Sequence, residues 1–234
     1  MWKAPISRVG GFCYTGTMFI TLGDAYELLP KMPVADLILT DPPYNISREN
    51  RFHIIGRQGI DFGEWDKGFD DLSWLELAVD RLSKNGSIVV FCNVRRISYI
   101  IERLESLGLK FKDIIRWVKP NPMPRNMDRR YVWDAEYAVW CARDKWTFNR
   151  LSDKYDRPEI VCSAPSKRLH PTQKPVQLME DLIRRHSNSG DTVLDPFMGS
   201  GTTGVAAMKL SRKFYGIEKD SNYFSIAQGR LQQE

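Results

Sequence analysis

The tetrapeptide Asp41-Pro42-Pro43-Tyr44 closes the apolar run Val34–Thr40 and combines an anion, two rigid peptide units without N–H groups and an aromatic face. The run before it is β-branched and aliphatic over a strand's length. Two prolines cannot continue a ladder, so the pattern predicts a strand that stops at Asp41. In open α/β sheets the carboxyl ends of strands are where ligands bind. Proline fixes its own φ and pushes the preceding residue to extended geometry, so the Asp41 carboxylate and the Pro42 carbonyl become two acceptors on a stiff backbone. The exocyclic amine of a nucleobase offers two N–H donors to such a pair, and Tyr44 offers a ring on which the base can stack. For these four residues alone, a proline turn capped by an aspartate is the alternative.

A second constellation lies far along the chain. Asp195-Pro196-Phe197-Met198-Gly199-Ser200-Gly201-Thr202-Thr203-Gly204 follows a predicted strand and opens a predicted helix, and its three glycines satisfy G-x-G-x-x-G. Glu218 ends the next strand, 17 residues after Gly201. This is nearly the dinucleotide fingerprint of a nicotinamide dehydrogenase. A dinucleotide, however, places its pyrophosphate at this turn, where Asp195 repels it. S-adenosylmethionine carries a sulfonium and an ammonium there instead, which a carboxylate attracts, and its ribose hydroxyls are suited to Glu218. The alternative is a glycine-rich packing turn with a solvated Glu218.

The elements that must position these residues alternate. Strands are predicted at 17–22, 34–40, 86–91, 109–118, 192–194 and 213–217. Helices are predicted from Gly23-Asp24 to Pro30, from Asp71 to Ser83 with a left-handed stop at Asn85-Gly86, and from Arg95 to Leu107. Others follow at 175–187 and 202–210, with a last one from Ser221. A polar, glycine-rich loop of about 25 residues begins at Asn45, long enough to be functional or mobile. The βαβ rhythm indicates a parallel sheet with helices on both faces. It breaks between Lys119 and Leu169, a proline-rich stretch with strand candidates around Ala138 and Trp146, which reads as an insertion.

Composition bounds the rest. The chain has 234 residues, 42% apolar and 27% charged, enough for one full core or one domain with an insertion. No stretch approaches a membrane span, and the start lacks the apolar segment of a signal peptide, so a cytoplasmic protein is expected. The four cysteines are far apart and the histidines are only three, which argues against a zinc site or a disulfide framework. The net charge of +5 is local: residues 116–168 hold 12 Lys+Arg and 7 Asp+Glu, which is the whole excess. Trp117, Tyr131, Trp133, Tyr137, Trp140, Trp146, Phe148 and Tyr155 lie among those cations. Cationic and aromatic together suit phosphates and unstacked bases; a solvated basic face is the plainer reading.

Together, Asp41-Pro42-Pro43-Tyr44 and Asp195-Pro196-Phe197-Met198-Gly199-Ser200-Gly201 resemble the signature motifs of the DNA amino-methyltransferases, and their order resembles the beta class. His170-Pro171-Thr172-Gln173-Lys174-Pro175 is similar to the family's motif before the cofactor strand, and Gly216-Ile217-Glu218 to its ribose-binding acid. The segments 57–66 and 121–126 resemble a narrower subgroup, the small adenine methyltransferases of type IIS restriction systems. The resemblance covers residues 17–234. It implies an α/β, Rossmann-like doubly wound, mostly parallel sheet with helices on both faces and a small inserted target-recognition region. The domain limits it implies are an N-terminal extension at 1–16, a catalytic domain at 17–118 and 170–234, and the insertion at 119–169.

The activity implied is site-specific transfer of a methyl group from S-adenosylmethionine to the N6 amine of a flipped adenine by in-line displacement, leaving S-adenosylhomocysteine and needing no metal. Asp41, Pro42, Pro43 and Tyr44 are the implied catalytic set. Asp24, Ala25, Asp41, Thr172, Lys174, Asp195, Phe197, Gly199, Gly201, Thr202 and Glu218 are the implied cofactor set. Within it, Asp24 meets the cofactor's adenine or merely caps a turn, Thr172 and Lys174 meet the methionine carboxylate, and His170 is structural. Arg125, Arg129 and Arg130 are candidates for phosphate or guanine contacts in double-stranded DNA. The family further implies a bacterial or phage-encoded enzyme, a homodimer, and a cognate restriction endonuclease as partner. The competing readings are an N4-cytosine or RNA amino-methyltransferase, and a DNA-binding module with a dead cofactor site.

Overall fold

The computed structural model describes residues 11–14, 16–44, 69–70, 72–122, 128–166, 169–170 and 172–233. Its strands are β1 (Gly11–Tyr14), β2 (Met18–Leu22), β3 (Ala35–Thr40), β4 (Leu82–Cys92), β5 (Lys110–Val118), β6 (Ala135–Ala142), β7 (Glu159–Val161), β8 (Thr192–Asp195) and β9 (Lys213–Glu218). Its helices are α1 (Ala25–Leu28), α2 (Ser73–Val79), α3 (Ile97–Ser106), α4 (Val176–His186), α5 (Thr202–Lys209) and α6 (Ser221–Leu231). The strands form one sheet in the order β1-β2-β9-β8-β3-β4-β6-β5-β7. The run from β2 to β4 is parallel throughout, and β7 runs parallel to β5. Antiparallel pairs join β1 to β2 and β6 to both β4 and β5.

Strand periodicity divides the core. Leu37, Leu39, Val89 and Phe91 face the layer of α4, α5 and α6, where Leu178, Leu182, Val205 and Phe224 lie buried. Ile38, Ile88 and Val90 face the other layer, with Trp74, Leu75, Ile100 and Leu104 of α2 and α3. Because side chains alternate along a strand, a strand covered on both faces reads as a continuous apolar run. The chain winds one way from β3 to β4 and the other way from β8 to β9, so the sheet's topological switch point lies between β3 and β8. No described helix is long and apolar enough to cross a membrane.

Four expectations need correction. α2 ends at Val79, and Asn85-Gly86 lies inside β4 instead of stopping a helix. Gly86 serves a close approach: a Cβ there would sit 2.6 Å from Leu82 Cδ1 and 3.1 Å from the Asp36 carbonyl, beside the register shift between β3 and β4. Residues around Trp146 are irregular, and Trp146 lies under the Lys112 ammonium, 3.3 Å from its ring centroid. The short strand β7 forms instead. Part of the N-terminal extension is β1, an edge strand of the sheet. The span 119–169 also supplies the sheet itself, because β6 lies between β4 and β5. The long loop from Asn45 and the motif at 57–66 lie outside the described residues.

Glycine spacing in the second motif is set by packing. Gly201 adopts φ +78° at the start of α5, and a Cβ on Gly204 would lie 2.6 Å from the Phe214 ring and 2.9 Å from Leu231. The third glycine therefore lets α5 press against β9 and α6, the role it has in dinucleotide folds. Gly204→Ala is expected to cost about 1–3 kcal/mol through overpacking. Gly229 in α6 has nothing within 4 Å of an added Cβ. Gly229→Ala is expected to gain about 0.5–1 kcal/mol from helix propensity. Urea denaturation of the two variants checks both signs, and equal effects would contradict the packing account.

Candidate active site

Four adjacent parallel strands, β2, β9, β8 and β3, end at one edge of the sheet and present there Asp24, Glu218, Asp195 and Asp41. A cavity of about 390 Å3 opens at this edge and is lined by all four acids. The two constellations are tied directly: Thr40 Oγ1 donates to Asp195 Oδ1 at 2.7 Å, across 155 residues of sequence.

Asp41 is engaged on both oxygens. The Tyr44 hydroxyl donates to Oδ1 and the Lys174 ammonium to Oδ2. Lys174 is 3% exposed and also lies 3.2 Å from Glu136 Oε2. Lys119 Nζ donates to the other Glu136 oxygen. A chain of alternating charge results: Asp41, Lys174, Glu136, Lys119. Burial pushes the Asp41 carboxyl above its usual range, against the pull of Lys174. Burial depresses the Lys174 ammonium, yet Asp41 and Glu136 outweigh it and the net shift is upward, so the cation persists. Burial and the Asp41 charge hold the Tyr44 phenol well above its ordinary value, which keeps it a donor.

The acid of the glycine turn is almost fully internal. Asp195 is 3% exposed and accepts from Thr203 Oγ1 at 2.6 Å and the Phe197 N–H at 3.1 Å, besides Thr40. Burial raises its pKa to about 6, against those hydrogen bonds. Glu218 accepts the Gly199 N–H at 2.8 Å and the Asp220 N–H at 2.7 Å, and burial raises it to about 7. Asp24 caps α1 through the Tyr26 N–H at 2.9 Å and pairs with Lys219 at 2.9 Å. There burial is outweighed by Lys219 and the Tyr26 N–H, and the carboxyl titrates below its usual range.

Ala25, Pro42, Pro43, Tyr44, Thr172, Lys174, Phe197, Gly199 and Thr202 line the same cavity as the four acids. Gly201 does not, and acts through the turn. Lys174, expected at the cofactor's carboxylate, has its ammonium committed to Asp41 and Glu136. The Thr172 hydroxyl lies 3.1 Å from His170 Nδ1. The His170 ring packs edge-on against Tyr223 with centroids 4.1 Å apart, and burial lowers its pKa to about 4. Arg129 and Arg130 are exposed just before β6, which starts at the cavity's edge of the sheet; Arg125 lies outside the described residues.

Sequence reasoning missed an aromatic wall and one acid. Phe197 meets Phe69 and Trp74 edge-on, at 5.3 and 5.0 Å between centroids, and Phe69 reaches Tyr26 at 6.3 Å. Nothing in the local pattern marks Tyr26 or Phe69, because residues far apart converge on the site. Glu136 did leave a signal, as the lone carboxylate in the otherwise apolar and aromatic run of β6.

An acid-rimmed cavity at the switch point of a doubly wound sheet defines a Rossmann-like enzyme that takes a cationic, phosphate-free ligand. Comparison with known proteins makes the class specific. A family model for the N6/N4 DNA methylases matches residues 35–229. M2.DpnII, a type II methyltransferase of Streptococcus pneumoniae, is 32% identical over 93% of this chain and 90% of its own. M.HinfI, a type II methyltransferase of Haemophilus influenzae, is 34% identical over 92% of this chain and 68% of its own. The solved complex of M1.HpyAVI with SAM matches at a TM-score of 0.77 and 43% identity, covering 92% of this chain and 100% of that one. The cytosine-N4-specific PvuII DNA methyltransferase shares the fold, with a TM-score of 0.73 at 20% identity. The chain belongs to the DNA methylase family.

The raised Glu218 carboxyl has a measurable consequence. An acid whose folded pKa exceeds its unfolded value contributes stability that is full below the unfolded pKa and lost as pH rises through the folded one. For Glu218 the window runs from 4.5 to about 7. Glu218→Gln lacks that loss, so its stability relative to the wild type is expected to rise across the window and stay level above it. Denaturant titration at a series of pH values measures the difference; a flat difference would mean that Glu218 is not shifted.

Proposed function

We propose that this chain is a site-specific DNA methyltransferase that moves a methyl group from S-adenosylmethionine to the N6 amine of an adenine extruded from the duplex. The observation that carries the reading is the side-by-side placement of Asp41 and Asp195 through the Thr40 hydrogen bond, on one 390 Å3 cavity. The cofactor fits the donor set. A buried Asp195 at the glycine turn disfavours a phosphate and favours a sulfonium and an ammonium. Glu218 retains lone pairs for two ribose hydroxyls. Phe197, Phe69 and Tyr26, which line the cavity, offer aromatic faces and edges suited to a flat adenine. Thr172, Thr202, Ala25 and Asp24 complete the contacts. Bound there, S-adenosylmethionine supplies an electrophilic methyl carbon on sulfur.

The amine of adenine is a weak nucleophile because its lone pair is delocalised into the ring. Asp41 and the Pro42 carbonyl each accept one N–H, which favours a pyramidal nitrogen with its lone pair aimed at the methyl group. Pro43 holds the turn rigid and Tyr44 stacks on the base. As the N–C bond forms, the C–S pair passes to sulfur, and the Asp41 carboxylate stabilises the positive charge developing on nitrogen. The nitrogen then sheds one proton, for which Asp41 is the nearest acceptor.

DNA contact is assigned to the parts of 119–169 outside the sheet. Arg129, Arg130, Tyr131 and Trp133 are exposed immediately before β6, at the edge that holds Asp41. Arg125 is assigned with them. The names of the type II relatives support a role in restriction-modification; a cognate endonuclease and a place in the cytoplasm of a bacterium, or a phage origin, are proposed with it. A homodimer is proposed on the small size of the recognition region.

Labelled cofactor incubated with duplex DNA is expected to mark adenine, whereas label on cytosine or in RNA alone would replace this reading with its neighbour. Asp41→Ala is expected to cut turnover by at least about a hundredfold while cofactor binding, measured by calorimetry, persists. Retained turnover would remove Asp41 from the mechanism. DNA affinity is expected to fall at least about tenfold between roughly 50 and 200 mM salt, as phosphate contacts require. A flat response would exclude the basic segment as the contact surface.

A further inference from the structure

The Asp41 neighbourhood holds more charge than an amine clamp needs. One ammonium beside Asp41 would suffice to keep it ionised, yet Lys174 is shared with a second carboxylate, Glu136, and Glu136 with a second ammonium, Lys119. Lys174 is 3% exposed, with the rings of Phe91 and Tyr44 at 5.0 and 5.7 Å from its nitrogen. Lys119 lies 4.6 Å from the Trp117 ring at the more open end. Buried ion pairs are weak stabilisers, and apolar replacements often match them. A partly buried row of four charges that ends on a reacting group therefore calls for a reason other than stability.

The reason lies in how an ammonium is divided between two carboxylates. Bound to Asp41 alone, Lys174 would take most of the acceptor strength that Asp41 must offer to the substrate amine. Glu136 on its far side draws the ammonium back. Lys119 in turn keeps Glu136 ionised. We propose that Glu136 is a positioning residue of the methyl-transfer reaction: it holds Lys174 between two carboxylates so that Asp41 stays oriented and strong enough as an acceptor to grip the amine. This assignment rests on the methyl-transfer reading of the site given above.

The groups that face this row come from every neighbouring element. Asp41 is faced by Lys174, Glu136, Asp195 and the Tyr44 phenol, Lys174 also by His170, and Tyr44 by Cys92 of β4. Glu136 raises the Asp41 carboxyl and Lys174 lowers it, which sets the sign of each change.

Two measurements on the full-length protein test the proposal. Isotope-labelled aspartate, assigned with Asp41→Asn, reports the Asp41 titration by NMR without any reaction. Glu136→Gln is expected to move it down by about one pH unit, Lys174→Met to move it up by at least as much, and Glu136→Asp to leave it in place. In turnover assays Glu136→Gln is expected to lower kcat about tenfold, the size seen for side chains that orient a reacting group from behind. The KM for the cofactor should be unchanged, and the acid limb of the pH profile should move with the titration. A role in folding alone would leave both the titration and the limb in place, and that result would overturn the proposal. Should Glu136→Gln not fold, Lys119→Met tests the row from its outer end, and an unmoved titration there overturns it equally. A wild-type protein that leaves adenine unmethylated would remove the reaction, and Glu136's part in it, while any titration shift survived as charge coupling alone. An unmoved titration in an active enzyme would instead remove only the role of Glu136.

Discussion

Four carboxylates at the ends of four neighbouring strands are the constraint around which this structure is organised. Parallel pairing of β2, β9, β8 and β3 brings them to one edge, where like charges repel and burial makes each charge costly. Each is managed differently. Asp24 has Lys219 and a backbone N–H, whereas Asp41 has Lys174 and the Tyr44 hydroxyl. Asp195 has two threonine hydroxyls and one N–H, and Glu218 has two N–H groups. The two acids whose hydrogen-bond partners include no cation are the two that burial raises to about 6 and about 7. Their ionisation is what a bound cation favours most.

The fold was largely legible because its signals are periodic. β3, β8, β9 and the second half of β4 are short, mainly apolar runs with turn residues after them, and such runs announce strands buried on both faces. The glycine turn was legible down to its spacing, since Gly201 needs a left-handed φ and Gly204 a missing Cβ. Errors arose where one residue type serves two purposes. Asn85-Gly86 looks like a helix stop, but Gly86 is required by the approach of Leu82 and the Asp36 carbonyl. The aromatic segment around Trp146 has strand composition, yet its ring serves as a cover for Lys112. β6 read as part of an insertion because no helical crossover leads into it; antiparallel pairing with β4 and β5 needs none.

The site was legible as a list and much less so as a network. Of the residues expected at the cofactor, all but Gly201 line one cavity. Their partners were not readable, because a pairing such as Lys174 with Asp41 spans 133 residues and depends on the strand order. The motif around Lys174 suggested a cation for the cofactor's carboxylate. In the fold the same cation turns inward, because β6 places Glu136 opposite Asp41 and leaves a negative gap between them. Side-chain identity set what each group can do, and topology decided to whom it does it.

The two ends of the sheet bear on how copies of the chain can meet. Among the described residues it begins with β1, four residues long, and finishes with β7, three residues long. Exposed strand edges are templates for further strands, and natural sheets blunt them by keeping edge strands short. Each margin here offers too few free backbone groups to zip a second sheet into register. Among the described residues, self-association by extending the sheet is therefore disfavoured at both ends.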